Sequence, residues 1–438
     1  MEEKRKIKIG VFGLGRGSVF TGFGSYPINF EVVALCDKNE ERMLKVKEKG
    51  NLQSASTYTD FDEFIKHPGM EAVFLHNYFH QHAPFAIKAM RAGKHVFSDC
   101  TAAGTLAEAV ELCEAVEETG MIYMFGENHG FQKTGLEIKR LYDAGEIGEV
   151  MYAEGEYNHP TTGVDKTKGR PSSDGPFHWR MWHPTTYYCT HAMGPLMYFT
   201  GLKPVEVNAR SLLLRGPDRI PHVNGLRKSI KDSGGSVMMV TMSNGAIFRL
   251  FGTGIPGHCN SFRLHGSRGA MEMVHGPGYF GPGQLRIWHE PLHATPGVPL
   301  DRTYWPEWPA FASQANKYIN HHQGGDFWCA YFFAEAIRSG APVPYDVYDG
   351  CAMSAVGICG WKSALQGGVP VEIPDFRDKA SRDKVRNDRT SPFLDENGNV
   401  PEGNVWIKNT LRDVTLESQI ADVKEAYEFN VGHYFGTK

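Results

Sequence analysis

Ile7-Lys8-Ile9-Gly10-Val11-Phe12-Gly13-Leu14-Gly15-Arg16-Gly17-Ser18 decides how this chain folds. The first half is a short β-rich run that ends at a glycine. The second half is a glycine loop of the kind that lets a backbone turn tightly and approach a pyrophosphate. Gly13 fits the turn and Gly15 the close approach. The third glycine of such a loop is expected where Ser18 stands, and Gly17 comes one place early. A second apolar run, Phe30-Glu31-Val32-Val33-Ala34-Leu35-Cys36-Asp37, ends at an acid. A carboxylate there accepts hydrogen bonds from ribose hydroxyls and repels a 2′-phosphate. Asp37 therefore favours NAD over NADP, with Lys38 beside it weakening the preference.

Outward from this loop the pattern continues. Residues 72–76, 95–98 and 121–125 read as three further strands. Residues 83–92 and 106–119 place apolar groups at helical spacing and stop at Gly93 and Gly120. Near-continuous apolar strands alternating with helices imply a parallel sheet covered on both faces. With right-handed crossovers this predicts an α/β, doubly wound Rossmann domain over residues 1–125. After residue 126 comes one amphipathic helix, 133–144. Strand-like runs then follow at 150–157, 205–214, 236–242, 245–251, 261–266 and 269–274. Asn244-Gly245 supplies the positive φ of a tight hairpin. An α+β domain with an open, mainly antiparallel sheet is expected over residues 126–376. Its helices at 325–339 and 349–366 are free to return to the first domain. Residues 377–438 are more charged and read as a C-terminal extension.

Composition narrows the function. The 438 residues are 41% hydrophobic and 22% charged, enough apolar material for a large core. Lys+Arg 46 against Asp+Glu 50 gives a formal net charge of -4, with no basic excess to bind nucleic acid. No run of eighteen uncharged apolar residues exists, so no membrane partner is expected. The eight cysteines contain no CxxC pair, and they read as reduced, buried thiols in a cytoplasmic protein. His76, His80 and His82 have metal-like spacing, joined by His321-His322, but lack a carboxylate at helical spacing. No metal site is expected.

The glycine loop resembles that of the Gfo/Idh/MocA oxidoreductases. The resemblance is strengthened by His82 with Ala83, Ala86 and Ala89, by Ala92-Gly93-Lys94-His95-Val96, and by the two-domain plan. It runs from about Ile7 to Pro374. It implies a nucleotide-binding domain, an open-sheet substrate domain, and oxidation or reduction of a sugar or polyol hydroxyl. Such proteins carry Glu-Lys-Pro after the fourth strand, and the lysine helps move the hydroxyl proton. Here Asp99-Cys100-Thr101 aligns with it, and Cys100 cannot act as an ammonium.

Glycoside hydrolase family 109 is the lysine-lacking subgroup this chain resembles in several local stretches. These are Thr101-Ala102-Ala103, Glu127-Asn128, Glu156-Tyr157-Asn158-His159, Tyr188-Cys189-Thr190-His191 with Gly194-Pro195, Gly324-Gly325-Asp326, and Pro344-Tyr345-Asp346-Val347-Tyr348-Asp349. That resemblance implies tightly bound NAD, oxidation of a sugar C3 hydroxyl, elimination of the aglycone, water addition and return of the hydride.

Removing a hydride from C3 needs a base for the hydroxyl proton. The ketone then acidifies the C2 hydrogen for a second base, and the leaving oxygen needs help. Tyr157 and His159, two apart on a strand, point to one face. Tyr188 and His191, three apart, meet if their segment is helical. The expected catalytic set is His191 as hydroxyl base, Tyr188 or Tyr157 as its partner, and Glu127 and His159 positioning the sugar or assisting elimination. Gly13, Gly15, Arg16, Gly17, Ser18, Asp37, Asn77, His82 and Asp99 are the expected cofactor contacts. Arg180 and Trp182, in an aromatic loop with Trp179, are expected to touch substrate. The leading expectation is an NAD-dependent oxidoreductase giving a 3-keto sugar. The alternatives are a retaining, redox-assisted glycosidase and a non-catalytic NAD-binding sensor. The open sheet face, which something must cover, points to a homo-oligomer.

Overall fold

Ile7, Ile9 and Val11 are completely buried, as a central parallel strand requires. The computed structural model describes residues 4–158, 179, 184–211, 235–253, 260–275, 283–294, 296–308, 322–394, 399 and 421. Its strands in chain order begin with β1 (Ile7–Phe12), β2 (Phe30–Cys36), β3 (Ser56–Tyr58), β4 (Ala72–Leu75), β5 (His95–Ser98) and β6 (Tyr123–Phe125). The helices are α1 (Glu40–Lys49), α2 (Phe61–Phe64), α3 (His82–Arg91), α4 (Leu106–Thr119), α5 (Lys133–Asp143), α6 (Thr190–Thr200), α7 (Gly325–Ser339), α8 (Val347–Leu365) and α9 (Lys379–Val385).

The described chain falls into two compact units. The first gathers residues 1–136, 307–351 and 376–387; the second gathers 137–306, 352–375 and 388–438. Set beside the expected ranges 1–125, 126–376 and 377–438, the first unit also takes in α7, α9 and the start of α8.

In the first unit β1–β6 form one parallel sheet in the order β3-β2-β1-β4-β5-β6, the doubly wound Rossmann arrangement. The order reverses between β1 and β4, so the loops after these strands flank the crevice where such sheets bind ligands. Helix α4 shows how local signals set the boundaries. Thr105 and Glu108 form a capping box at its start, and Gly120 ends it at φ 64°. β3 and α1 were not legible as separate elements in the sequence. After β1 the chain makes a 3-10 turn over Gly17–Gly22 where a Rossmann fold commonly has a long helix.

The second unit holds a nine-stranded sheet. Its strands are β7 (Val150–Asn158), β8 (Pro204–Ser211), β9 (Gly235–Met242), β10 (Ile247–Thr253), β11 (Asn260–Gly266), β12 (Gly269–Val274), β13 (Gln284–His289), β14 (Asp301–Tyr304) and β15 (Val371–Glu372). The order is β14-β13-β12-β11-β7-β10-β9-β8-β15. Every described pairing is antiparallel except β7 with β10. The β9–β10 hairpin turns at Gly245, φ 86°. Helix α6 lies close on one face: a Cβ at Gly155 would come within 2.2 Å of the Ala192 carbonyl oxygen. The other face carries one rung of alternating charge, Arg249–Glu154–Arg263–Glu272–Arg286–Asp301, running from β10 to β14. Among the described residues no helix is long and apolar enough to cross a membrane.

Candidate active site

The glycine loop is shaped by what surrounds each glycine. Gly13 has φ 86°, and a Cβ there would sit 2.4 Å from the His76 carbonyl oxygen. Gly17, buried, has Val11 and His76 side-chain atoms at 2.7 and 2.8 Å from its would-be Cβ. Gly17 thus does the packing expected of the position held by Ser18, whose hydroxyl donates to the Gly15 carbonyl at 3.5 Å. Gly15 is different. It is exposed, and nothing lies within 4 Å of a Cβ built on it.

At the tip of β2 the Asp37 carboxylate accepts from the Leu14 amide at 2.8 Å and the Asn39 amide at 2.9 Å. Arg42 pairs with it at 3.2 Å. Asp37 therefore ties the glycine loop to the second strand. At the tip of β4 the Asn77 side-chain nitrogen and oxygen are both buried with no partner among the described residues. Buried amide atoms without partners cost free energy, so such a group marks a place for a ligand. Open space at Gly15, the orphaned Asn77 amide and the carboxylate at the β2 tip together fit a dinucleotide.

Beyond the loop lies a charged hub. Arg16 makes a two-pronged pair with Asp326 at the start of α7, Nη1 to Oδ2 at 3.0 Å and Nη2 to Oδ1 at 2.5 Å. Its Nε is 3.5 Å from Asp99 at the tip of β5. Asp99 also meets His76 Nδ1 at 3.1 Å. Burial works against ionising both carboxyls, but Arg16 outweighs it, helped at Asp326 by His322 and at Asp99 by His76. Both stay well below the usual carboxylate range. Burial pushes the His76 imidazole down, against the pull of Asp99. The His82 imidazole, its Nδ1 2.8 Å from the Thr101 carbonyl, is pushed down to about 4 by burial. Two of the histidines set aside for want of a carboxylate at helical spacing do meet one: His76 meets Asp99, from a neighbouring strand, and His322 meets Asp326, four residues on along the chain.

Glu127, fully buried, accepts from the His129 amide at 2.9 Å, and the Cys100 thiol lies 3.6 Å from its other oxygen. No lysine stands at the Cys100 position. Cys100, Thr101, Ala102 and Ala103 are all buried, and the Cys100–Thr101 peptide bond is cis.

The second unit brings three expected residues together. Tyr157 near the end of β7 and His191 in the first turn of α6 meet edge to face at 4.6 Å between ring centroids. Tyr188, in the 3-10 turn Thr185–Tyr188, stacks on Tyr157 at 5.4 Å and meets His191 at 5.3 Å. Trp179 stacks on Tyr188 at 6.3 Å and 9°. His159, Arg180 and Trp182 lie outside the described residues. Asp326, His322, Asn128 and His76 were not assigned roles from the sequence. The Gly-Gly before Asp326 marks a helix start, but nothing in linear order links it to Arg16, 310 residues away.

Residues 7–127 match the model of the oxidoreductase family, NAD-binding Rossmann fold (Gfo/Idh/MocA). Residues 258–382 match that of the glycosyl hydrolase 109 C-terminal domain. The chain joins a Gfo/Idh/MocA NAD-binding domain to a glycosyl hydrolase 109 C-terminal domain. An α-N-acetylgalactosaminidase of Tannerella forsythia is 25% identical over 388 residues, covering 79% of this chain and 81% of the relative. A glycosyl hydrolase family 109 protein of Stenotrophomonas maltophilia is 26% identical, covering 85% and 89%. Among solved structures, levoglucosan dehydrogenase in complex with NADH and L-sorbose superposes with a TM-score of 0.67 at 18% identity, over 85% of this chain and 100% of that one. The aldose-aldose oxidoreductase of Caulobacter crescentus gives 0.63 at 20% identity, over 84% and 100%. At these identities the structural likeness establishes the fold. Residues 7–127 thus match an NAD-binding domain, and the glycine loop, Asp37 and Asn77 stand at the ends of its strands.

Proposed function

We propose that the protein is an NAD-dependent enzyme acting on the C3 hydroxyl of a glycoside, and that it runs the redox cycle closed, ending in retaining hydrolysis. The carrying observation is the cluster of one imidazole and two phenols, Tyr157, Tyr188 and His191, in a chain whose relay position holds Cys100 and no lysine. The glycosyl hydrolase 109 domain and the relatives named for that family favour the closed cycle over release of a 3-keto sugar.

When bound, NAD supplies a reversible acceptor for the C3 hydride. His191 takes the C3 hydroxyl proton, and the edge of its ring against Tyr157 and Tyr188 fixes its orientation. With C3 a ketone, the C2 hydrogen becomes acidic, and neutral His159, or a tyrosine in its phenolate form, takes the proton. Glu127 positions the sugar or hands a proton to the departing glycosidic oxygen. Water adds at C1, and the same residues return their protons in reverse order. Tight retention of NAD, a homo-oligomeric assembly and a cytoplasmic setting belong to the same proposal.

The test uses aryl glycosides, the α-N-acetylgalactosaminide first, given without added NAD in deuterated water. The expected result is aglycone release with no net NADH and with deuterium at C2 of the product sugar. Accumulation of NADH or a 3-keto sugar would replace the closed cycle by a simple oxidoreductase. Bound NAD with neither reaction on any glycoside would leave the sensor.

A further inference from the structure

The hub at the start of α7 does more than the reaction above requires. Asp326 has no exposed surface, and its carboxylate collects three donors: the Arg16 guanidinium on both oxygens, the Asn128 amide at 2.7 Å and His322 Nδ1 at 2.9 Å. A buried carboxylate is tolerated only with such pairing. The backbone leading to it is unusual. His322, Gln323 and Gly324 are consecutive left-handed residues, with φ 49°, 53° and 91°. Two of them are not glycine, and a side chain disfavours that region. Such a conformation persists only where surroundings impose it.

The surroundings are visible on both sides. A Cβ at Gly324 would press on the Trp308 ring at 2.8 Å, and one at Gly325 would sit 2.3 Å from the Asn128 carbonyl oxygen. The start of α7 is thereby wedged between Trp308 and the segment after β6, and the wedge delivers Asp326 to Arg16. Arg16 stands inside the glycine loop, one residue after the open position Gly15. The other anchor of that loop is Asp37, on the Leu14 amide. The loop is thus tied on one side to β2 and on the other to α7.

We propose that Asp326 is a positioning residue that acts through Arg16 to hold the glycine loop closed on the dinucleotide and so retains NAD between turnovers. This rests on the NAD-dependent reading above. Without the Asp326 charge, Arg16 keeps Asp99, at 3.5 Å from Nε, and the Phe20 ring, 5.2 Å from the guanidinium, and the charged tie from α7 to the loop is gone.

The test measures NAD release, separate from any sugar chemistry. The purified full chain is loaded with NAD, and release is followed by dilution into a dehydrogenase trap that scavenges free NAD. The variants are Asp326→Asn, Arg16→Lys, which keeps the charge but loses the two-pronged fork, and His322→Gln at the half-exposed edge of the hub. Leu112→Ala, in the fully buried face of α4, serves as a control that loses stability without touching the hub. All are compared at a temperature where circular dichroism shows each folded. Asp326→Asn and Arg16→Lys are expected to release NAD at least tenfold faster, and His322→Gln less so. Their double variant should be no faster than the faster single one. Leu112→Ala should release at the wild-type rate. If Asp326→Asn does not fold, Arg16→Lys and His322→Gln decide the matter. Wild-type release rates in the hub variants, or equal loss from Leu112→Ala, would overturn the proposal alone. A wild-type chain that takes up no NAD would overturn the functional reading and this proposal with it.

Discussion

Gly13 and Gly15 are two residues apart in one loop, and the structure predicts opposite outcomes when each becomes alanine. At Gly13 the new methyl would meet backbone, with the His76 carbonyl oxygen at 2.4 Å and the Asn77 amide nitrogen at 2.7 Å. Backbone cannot swing aside as a flexible side chain does. The left-handed φ of 86° adds about 1–2 kcal/mol for any Cβ, and overpacking adds about 1–3 kcal/mol. Gly13→Ala should therefore destabilise the first unit by roughly 2–5 kcal/mol. At Gly15 there is no neighbour within 4 Å and no positive φ. Alanine there should leave stability unchanged or raise it by about 0.4–1 kcal/mol, since it restricts the unfolded chain. Its methyl would instead intrude on the space assigned to the pyrophosphate. The same overpacking cost of about 1–3 kcal/mol, moved from the fold to the complex, is roughly a five- to 150-fold loss of NAD affinity. The assay pairs urea denaturation of the NAD-free proteins with calorimetric titration by NAD. A Gly15→Ala protein that binds NAD like the wild type would refute the assignment of that space. A Gly13→Ala protein of wild-type stability would refute the packing argument.

Three further outcomes follow from the same geometry. His191→Gln should lower turnover of a competent glycoside by about 10²–10⁴-fold, as for loss of a general base, while NAD content measured after denaturation stays at the wild-type level. Asp37→Ala should leave the Leu14 and Asn39 amides without their acceptor, costing about 1–3 kcal/mol in a denaturation curve, and should narrow the preference for NAD over NADP in a binding titration. His82 gives a pH signature. Its folded pKa of about 4 lies below the ordinary 6.5, so on acidification the unfolded chain takes up the proton first. Stability should fall as pH drops from about 7 toward 4, by about 3 kcal/mol from this group, and Asp99 and Asp326 should add to the loss below their ordinary 3.8. Denaturation midpoints of wild type and His82→Gln across that range check this, and a flat difference between them would count against it.

The Rossmann unit was legible because its signals are local. Apolar strands, the glycine loop, Thr105 with Glu108, and Gly120 each act within a few residues. The Asn244-Gly245 turn was legible for the same reason. The shared surroundings of Tyr188 and His191 were readable as helical spacing, but their meeting with Tyr157 depends on α6 lying close over β7, which Gly155 permits. β13 and β14 were not legible. Their outward residues, Arg286 and Asp301 among them, take their places through cross-strand charge pairing that linear order does not display.

What the sequence by itself determined is the set of chemical groups and the local turns: a glycine loop after the first strand, an acid at the end of the second, a thiol where a lysine was expected, and imidazole and phenol groups farther along the chain. These follow from side-chain identity and from backbone preferences over a few residues. Only the tertiary structure decided which of those groups face each other. Arg16 and the buried Asp326 become a pair because α7 returns to the Rossmann unit, and burial of the carboxylate makes a charged partner compulsory. Desolvation and pairing are properties of position in space, so they cannot be read before the chain has folded.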